Sequence, residues 1–231
     1  MSSITYAFNA PHIASSGDTY GFDVPAAAIV DTGMTVPVGG TTYPKALDLG
    51  TSISATVNIS TLQFPDTSRF HVRVVFRINA AFNGTQFLAQ SDRLPFAIML
   101  IGEAGSVRLR VNVTSATNGP RSTDTTGNIA VIPGTWHVAD LVYDIDTLAA
   151  FLDEQVYSLH GFGTENRVDL KVDPTTSLVL GRGLTGSSHF NGQLAAFLLE
   201  DKIPVALETL LDQSRSTPQW YITTKLDSLQ H

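Results

Sequence analysis

The chain contains no cysteine, which excludes disulfides, thiolate metal sites and a cysteine nucleophile, and leaves the redox compartment open. Cations are scarce as well. Lys and Arg number 14 against 21 Asp and Glu, a net charge of −7, and no run of Lys or Arg occurs. A protein that grips a phosphate backbone needs clustered cations, so nucleic acid is not an expected partner. No apolar run approaches the roughly 20 residues needed to cross a bilayer, so no membrane span is expected, and the Met1-Ser2-Ser3 start lacks the charge and apolar stretch of a signal peptide. Also missing are Gly-x-Ser-x-Gly, His-Glu-x-x-His and any Gly-rich phosphate cradle. Internal repeats, low-complexity segments and a Pro/Ser/Gly-rich linker are absent too.

What the sequence does hold is apolar residues in alternation. With 43% hydrophobic and 15% charged residues over 231 positions, the chain is globular and is expected to form one domain over residues 1–231. The clearest signal is the stretch 133–155. Two β-type runs, 136–143 and 148–152, flank Asp144-Ile145-Asp146-Thr147, a loop short enough to force an antiparallel hairpin. Ala139, Leu141 and Tyr143 share one parity and Val138, Asp140 and Val142 the other.

Elsewhere Phe70, Val72, Val74, Phe76 and Ile78 face one way while His71, Arg73, Val75 and Arg77 face the other. Residues 52–59 alternate in the same manner. Asn83-Gly84 is a turn into 85–89, and 96–101 with 107–113 form a second hairpin hinged at 102–105; Arg108, Arg110 and Asn112 alternate with apolar neighbours. Short strands are also expected at 4–8, 20–24, 167–172, 177–182 and 190–199. Residues 114–128 read as a long polar loop and 160–166 as another. Pro204 opens a short helix with Val205, Leu207, Leu210 and Leu211 on one face. About a dozen short strands with turn signals every 8 to 12 residues make a sandwich or a barrel.

Several segments, in this order, resemble one family: Ala46-Leu47-Asp48-Leu49-Gly50 before an alternating strand, residues 70–78, Gly134-Thr135-Trp136-His137 through Val142-Tyr143-Asp144, Ala150-Phe151-Leu152-Asp153, Leu180-Gly181-Arg182, and Phe190-Asn191-Gly192-Gln193-Leu194 before a short helix. Together they resemble a laminin G-like domain of the concanavalin A-like lectin/glucanase superfamily over roughly residues 20–213, leaving 214–231 as a C-terminal extension. The resemblance implies an all-β, two-sheet antiparallel jelly-roll sandwich with one short C-terminal helix, an extracellular or cell-surface setting, and a glycan or glycoprotein ligand. It also implies that Trp136 packs in the core. Calcium is the implied cofactor, with Asp23 and Asp31 as the early acidic half of a site and Glu200 and Asp201 as the late half, because Ala195 and Ala196 stand where many relatives carry an acidic pair. The family's Asp-Gly turn is Asp153-Glu154 here, and the loop is expected to be remodelled, since Glu154 would sit where Gly is comfortable.

Cleavage of a glycosidic bond needs two carboxyl groups facing each other across it, and no strand carries such a pair. Glu200 and Asp201 are adjacent, hence on opposite faces. Asp144 and Asp146 share a parity but lie in a turn. A lyase-like set would need a Gln-x-His that is absent, and His71 with Arg73 and Arg77 reads more simply as a solvated edge row. No catalytic residue is assigned. Asp140, between two valines, is expected to pair with Arg73 or Arg77 or to face a groove. The polar loops supply a candidate ligand-binding rim: Asn118, Arg121, Asp124, Asp140, His160, Glu165, Asn166, Arg182 and His189. The favoured role is non-catalytic carbohydrate recognition. An assembly domain of a larger extracellular or particle-associated complex, homo-oligomeric through residues 218–231, and a glycan-cleaving enzyme of the same fold stand as alternatives. Asn58, Asn83 and Asn112 begin glycosylation acceptor patterns.

Overall fold

The computed structural model describes all residues except 1–2, 10–11, 14–19, 51–53, 60–68, 93, 116–118, 125–130, 145–146, 162–176, 187 and 217–231; for 12–13, 115, 119–124, 156–161 and 214–216 it describes the backbone alone. The described strands are β1 (Ser3–Ala7), β2 (His12–Ile13), β3 (Phe22–Asp23), β4 (Ile29–Asp31), β5 (Lys45–Asp48), β6 (Ala55–Asn58), β7 (Arg69–Ile78), β8 (Gly84–Ser91), β9 (Phe96–Glu103), β10 (Ser106–Ser115), β11 (Gly119–Asp124), β12 (Trp136–Asp144), β13 (Thr147–Leu152), β14 (Gln155–Gly161), β15 (Ser177–Leu180) and β16 (Gly192–Glu200), followed by helix α1 (Val205–Ser216). The first sheet runs β14-β13-β12-β7-β16-β5-β4, with β1 on the far half of β16; the second runs β11-β10-β9-β8-β15-β6. The pairings among the described strands are antiparallel. The architecture is a two-sheet jelly-roll sandwich with one short helix.

Alternation builds the core as expected. Phe70, Val72, Val74, Phe76 and Ile78 of β7 join Ala139, Leu141 and Tyr143 of β12 on the inner face of the first sheet, and meet Phe96, Ile98, Leu100, Leu109 and Val111 from the second. Burial of this apolar surface, at about 25 cal/mol per Å² removed from water, is the main stabilising term. Ile4, Tyr6 and Phe8 belong to the same cluster, so the core begins ahead of the segments that carry the family resemblance.

Several local expectations change. The central hairpin is tighter than the four-residue loop suggested, because Asp144 pairs with Thr147 across the turn. The Asp153-Glu154 turn is kept rather than remodelled. Both residues take positive φ, 52° and 65°, the pattern of a two-residue type I′ hairpin turn. Asp153 holds it: its Oδ1 accepts the Val138 N–H at 2.9 Å and its Oδ2 lies 2.8 Å from His137 Nδ1. The supposed polar loop at 114–128 contains an edge strand, β11, in register with β10 from Arg110 opposite Asp124 to Ser115 opposite Gly119. An edge strand gains backbone hydrogen bonds from one neighbour and needs no apolar period, so polarity did not signal it. His160 likewise lies in β14, opposite Leu148, and not in a loop. In α1, Leu207 and Leu211 are buried and Leu210 partly so, but Val205 is 70% exposed, off the face first assigned to it. The strand expected at 167–172 and the tail 218–231 fall outside the described residues.

Gly192 marks a close approach. A Cβ there would collide with the Arg77 carbonyl oxygen and the Phe190 ring, neither of which yields without moving β7 or the core. Gly192→Ala is expected to lower stability by about 1–3 kcal/mol, the usual range for overpacking, read as a lower urea midpoint at unchanged m-value.

Candidate functional site

Strand β7 runs through the middle of the first sheet, between β12 and β16, and its outward side chains are Arg69, His71, Arg73, Val75 and Arg77. A solvated edge row was expected. Instead His71 is fully buried, because two elements close over this face. Ile203, Leu207 and Leu211 of the α1 segment pack on Val142, Ala149 and Phe151. At the other end the segment 32–43 lays Met34, Val38 and Tyr43 against Val75, Val138 and Ala195. Its anchor is the Thr32 carbonyl, which accepts from Trp136 Nε1 at 3.3 Å and from Arg77 at 3.4 Å. Trp136 is therefore half-buried on the outward face, with the Arg77 guanidinium 4.9 Å from its ring centre, and not in the inter-sheet core where the family resemblance put it.

Charges enclosed this way must compensate one another. Register puts Asp140 opposite Arg73 and Glu200 opposite His71. His71 Nε2 lies 2.6 Å from Asp140 Oδ1 and its Nδ1 lies 2.8 Å from Glu200 Oε1. Arg73 donates to both Asp140 oxygens, Nε to Oδ1 at 2.7 Å and an NH2 nitrogen to Oδ2 at 3.3 Å, so the expected pairing of Asp140 is with Arg73. Toward α1, Arg69 donates to Glu208 at 2.7 Å and approaches Asp144 at 2.9 Å without a well-aligned hydrogen bond from Nε. Away from α1, Arg77 donates to Gln193 Oε1 at 2.6 Å.

Both ring nitrogens of His71 face carboxylates, so both must carry hydrogens, which makes the ring an imidazolium. Burial pushes its pKa down, but hydrogen bonds to Asp140 and Glu200, reinforced by their charges, outweigh burial and hold the group above its ordinary value. Arg73 is also raised: burial opposes, and the hydrogen bond and charge of Asp140, then Glu154 and Tyr43, prevail. The quartet thus sets two acidic side chains against two basic ones. The imidazole ring lies between the two carboxylates and uses both of its nitrogens on them.

The sequence-derived rim is only partly assembled. Asp140 is fully buried, in the quartet and not on a rim. Asp124 and Arg121 lie on β11, with Asp124 opposite Arg110 and Arg121 opposite Val113. Arg182 sits in the loop after β15 and donates to Thr56 Oγ1 at 3.3 Å, while His189 lies farther along that loop, half-buried. Asn118, Glu165 and Asn166 fall outside the described residues, and so do the side chains of His160, Arg121 and Asp124. Of the acidic residues set aside for calcium, Asp31 is paired with Lys45 at 2.6 Å, Glu200 is bound to His71, and Asp23 and Asp201 join no cluster: among the described residues no three His, Asp or Glu side chains group so as to hold a metal ion.

The outward face of the second sheet is different. The helix α1 packs on the first sheet and not on this one. Register lines up Phe87, Met99 and Arg110 in one row across β8, β9 and β10, Thr85, Ile101 and Arg108 in the next, and Gln90, Ala97 and Asn112 in a third. Met99 and Ala97 are nearly covered, whereas Phe87, Ile101, Arg108, Arg110 and Asn112 keep part of their surface. The rim of this face is the loop after β15, whose Leu184 N–H donates to Gln90 Oε1 at 2.9 Å. An apolar strip of this kind was hidden in the sequence. Residues 96–101 are apolar on both parities, the mark of a strand buried on two sides, and a bulge at Phe87/Ala89 breaks the alternation that would have pointed Phe87 outward.

Raising the pH tests the quartet. The His71 pKa is higher folded than unfolded, so its contribution to stability is complete below the unfolded value of about 6.5 and fades as pH rises through the folded one. Urea unfolding from about pH 6 to 9 is expected to show stability falling with pH, and His71→Gln is expected to flatten that slope. Asp140→Asn is expected to cost about 3–5 kcal/mol, the range for removing one partner of a buried ion pair.

No family model and no curated protein matches the chain. Solved structures do. The binding domain of botulinum neurotoxin serotype G matches with a TM-score of 0.61 and 10% identity over 90% of this chain, which spans about half, 49%, of that domain. Domain 4 of AbnA, a GH43 extracellular arabinanase from Geobacillus stearothermophilus, solved with arabinotriose, matches with a TM-score of 0.59 and 13% identity over 91% of this chain and 98% of its own. The CBM40 of the Ruminococcus gnavus IT-sialidase, bound to α2,3 sialyllactose, matches with a TM-score of 0.51 and 13% identity over 69% of this chain and 90% of its own. At these identities the likeness shows the fold, a jelly-roll β-sandwich.

Proposed function

We propose that the chain is a non-catalytic glycan-recognition module, laminin G-like in kind and acting outside the cell, in which the sandwich is the scaffold and the outward face of the second sheet meets the sugar. The observation that carries this reading is the composition of that face. Half-buried Phe87 and Ile101, with Met99 almost wholly covered between them, offer a small apolar platform for the C–H side of a pyranose or furanose ring, and Asn112, Arg108 and Arg110 fringe it with hydrogen-bonding groups for hydroxyls. Turnover is not part of the proposal, because the carboxylates brought together on the first sheet are enclosed and joined through His71. Solved structures with glycan ligands, the arabinanase domain and the CBM40, share the scaffold and support the choice of ligand class.

Calorimetric titration against a glycan panel, with and without calcium, tests the proposal. Saturable binding is expected, with no release of reducing ends. Phe87→Ala is expected to weaken that binding at least about tenfold, roughly 1.4 kcal/mol, at an unfolding midpoint close to wild type. A panel that yields heat for no saccharide in either calcium condition sinks the reading, and release of reducing ends replaces it with the enzyme.

A further inference from the structure

We propose that Asn83 is a site of spontaneous deamidation, where water slowly converts an asparagine in the turn between β7 and β8 into aspartate and isoaspartate. The inference is independent of the glycan-recognition reading.

The chain holds three Asn-Gly pairs, at 83–84, 118–119 and 191–192, and Asn118 lies outside the described residues. Asparagine is among the chemically labile residues. A glycine after it, with no Cβ to shield the next nitrogen, lets that nitrogen close on the side-chain amide. The Gly84 nitrogen bonds to Asn83 Cγ, the Cγ–Nδ2 bond breaks, and the proton of the Gly84 nitrogen leaves with Nδ2 as ammonia. Water then opens the cyclic imide. Cleavage between the Gly84 nitrogen and Cγ gives aspartate; cleavage between that nitrogen and the carbonyl carbon of residue 83 gives isoaspartate, whose main chain runs through the former side chain. Either product adds one negative charge to the −7 of the chain, and nothing is oxidised or reduced.

The structure separates two copies of this dipeptide. Asn83 and Gly84 are both exposed. Gly84 takes a φ of 93°, and nothing lies within 4 Å of where a Cβ would stand on it. The Asn83 side chain has no hydrogen-bond partner among the described residues, so ring closure there breaks no side-chain bond. Asn191 is held at every polar group. Its Oδ1 accepts from Asn79 Nδ2 at 3.0 Å, its carbonyl accepts the Asn79 N–H at 3.2 Å, and its own N–H donates to Gln86 Oε1 at 2.9 Å. Gly192 is buried in β16, opposite Ile78. The rotation that would bring the Gly192 nitrogen onto Cγ is therefore blocked.

The product strains its surroundings. Register pairs Gly84 with Gly102, and one further step sets position 83 level with Glu103, so the new carboxylate meets a like charge across the strands. The Phe82 main chain already lies so close to Gly102 that a Cβ there would collide with the Phe82 carbonyl oxygen. The extra backbone atom of isoaspartate, one residue later, has little slack to enter.

The experiment ages the full chain in mildly alkaline buffer at body temperature and maps it with trypsin, which separates the two sites into peptides 78–93 and 183–202. Mass spectrometry reads the exchange of NH2 for OH, and an isoaspartate-specific methyltransferase labels the second product. Peptide 78–93 is expected to convert at least about tenfold faster than 183–202, a barrier difference of about 1.4 kcal/mol, and to take the label. Ageing in urea is expected to abolish the difference, because the dipeptides are then equivalent. Asn83→Gln, an exposed substitution checked by urea midpoint, is expected to stop conversion of 78–93, and aged wild type is expected to unfold at lower urea than the aged variant. Equal rates in the folded chain, or an Asn83 that stays intact there while converting in urea, overturn the inference. Conversion of 78–93 that persists in Asn83→Gln overturns it too, by moving the chemistry to another amide of that peptide.

Discussion

Placing a protonated histidine in the middle of a sheet and then covering it is the constraint on which the rest of the first sheet depends. His71 is fully buried with a carboxylate on each ring nitrogen. Arg73, on the same strand, adds a second basic group beside Asp140. The four residues come from β7, β12 and β16, so the ion network fixes the mutual register of the three central strands, and a one-residue slip would leave uncompensated charge in an enclosed site. Net stabilisation is a separate matter. Buried ion pairs often only break even against apolar isosteres, and the gain here is specificity of register, set against the large cost of losing any one member.

Enclosure has a consequence for function. Because α1 and the segment 32–43 occupy the outward face of the first sheet, the proposed recognition rests on the outward face of the second.

Much of this was legible in the sequence. Period-two alternation gave β6, β7, β10 and β12 with their inner faces correctly assigned, because burial of one face writes itself directly into parity. The pairing of Asp140 was legible too, since an isolated carboxylate between two valines has few alternatives. What parity cannot convey is what lies on the outer face. His71, Arg73 and Arg77 looked solvated because a sequence shows which residues share a side and not which distant segment folds over it; the helix that closes the face comes some 130 positions later. Trp136 was misplaced for the same reason. Polar edge strands such as β11 escape because their hydrogen bonds are backbone bonds, indifferent to side-chain pattern.

The Asp153-Glu154 turn shows how a local rule is overruled by a neighbour. Two non-glycine residues at positive φ are unfavourable in isolation, and on that ground a remodelled loop was expected. Asp is among the residues that tolerate this region, and here its carboxylate is engaged twice, by the Val138 N–H and by the His137 ring. Those bonds tie the β13–β14 turn to β12, one strand away, and offset the strain that Glu154 introduces. Since His137 and Val138 stand three and two residues before Asp140 on the same strand, the turn and the buried quartet constrain one segment of β12. The conformational penalty at residues 153 and 154 is therefore best understood as part of what holds β12 in the register the ion network demands.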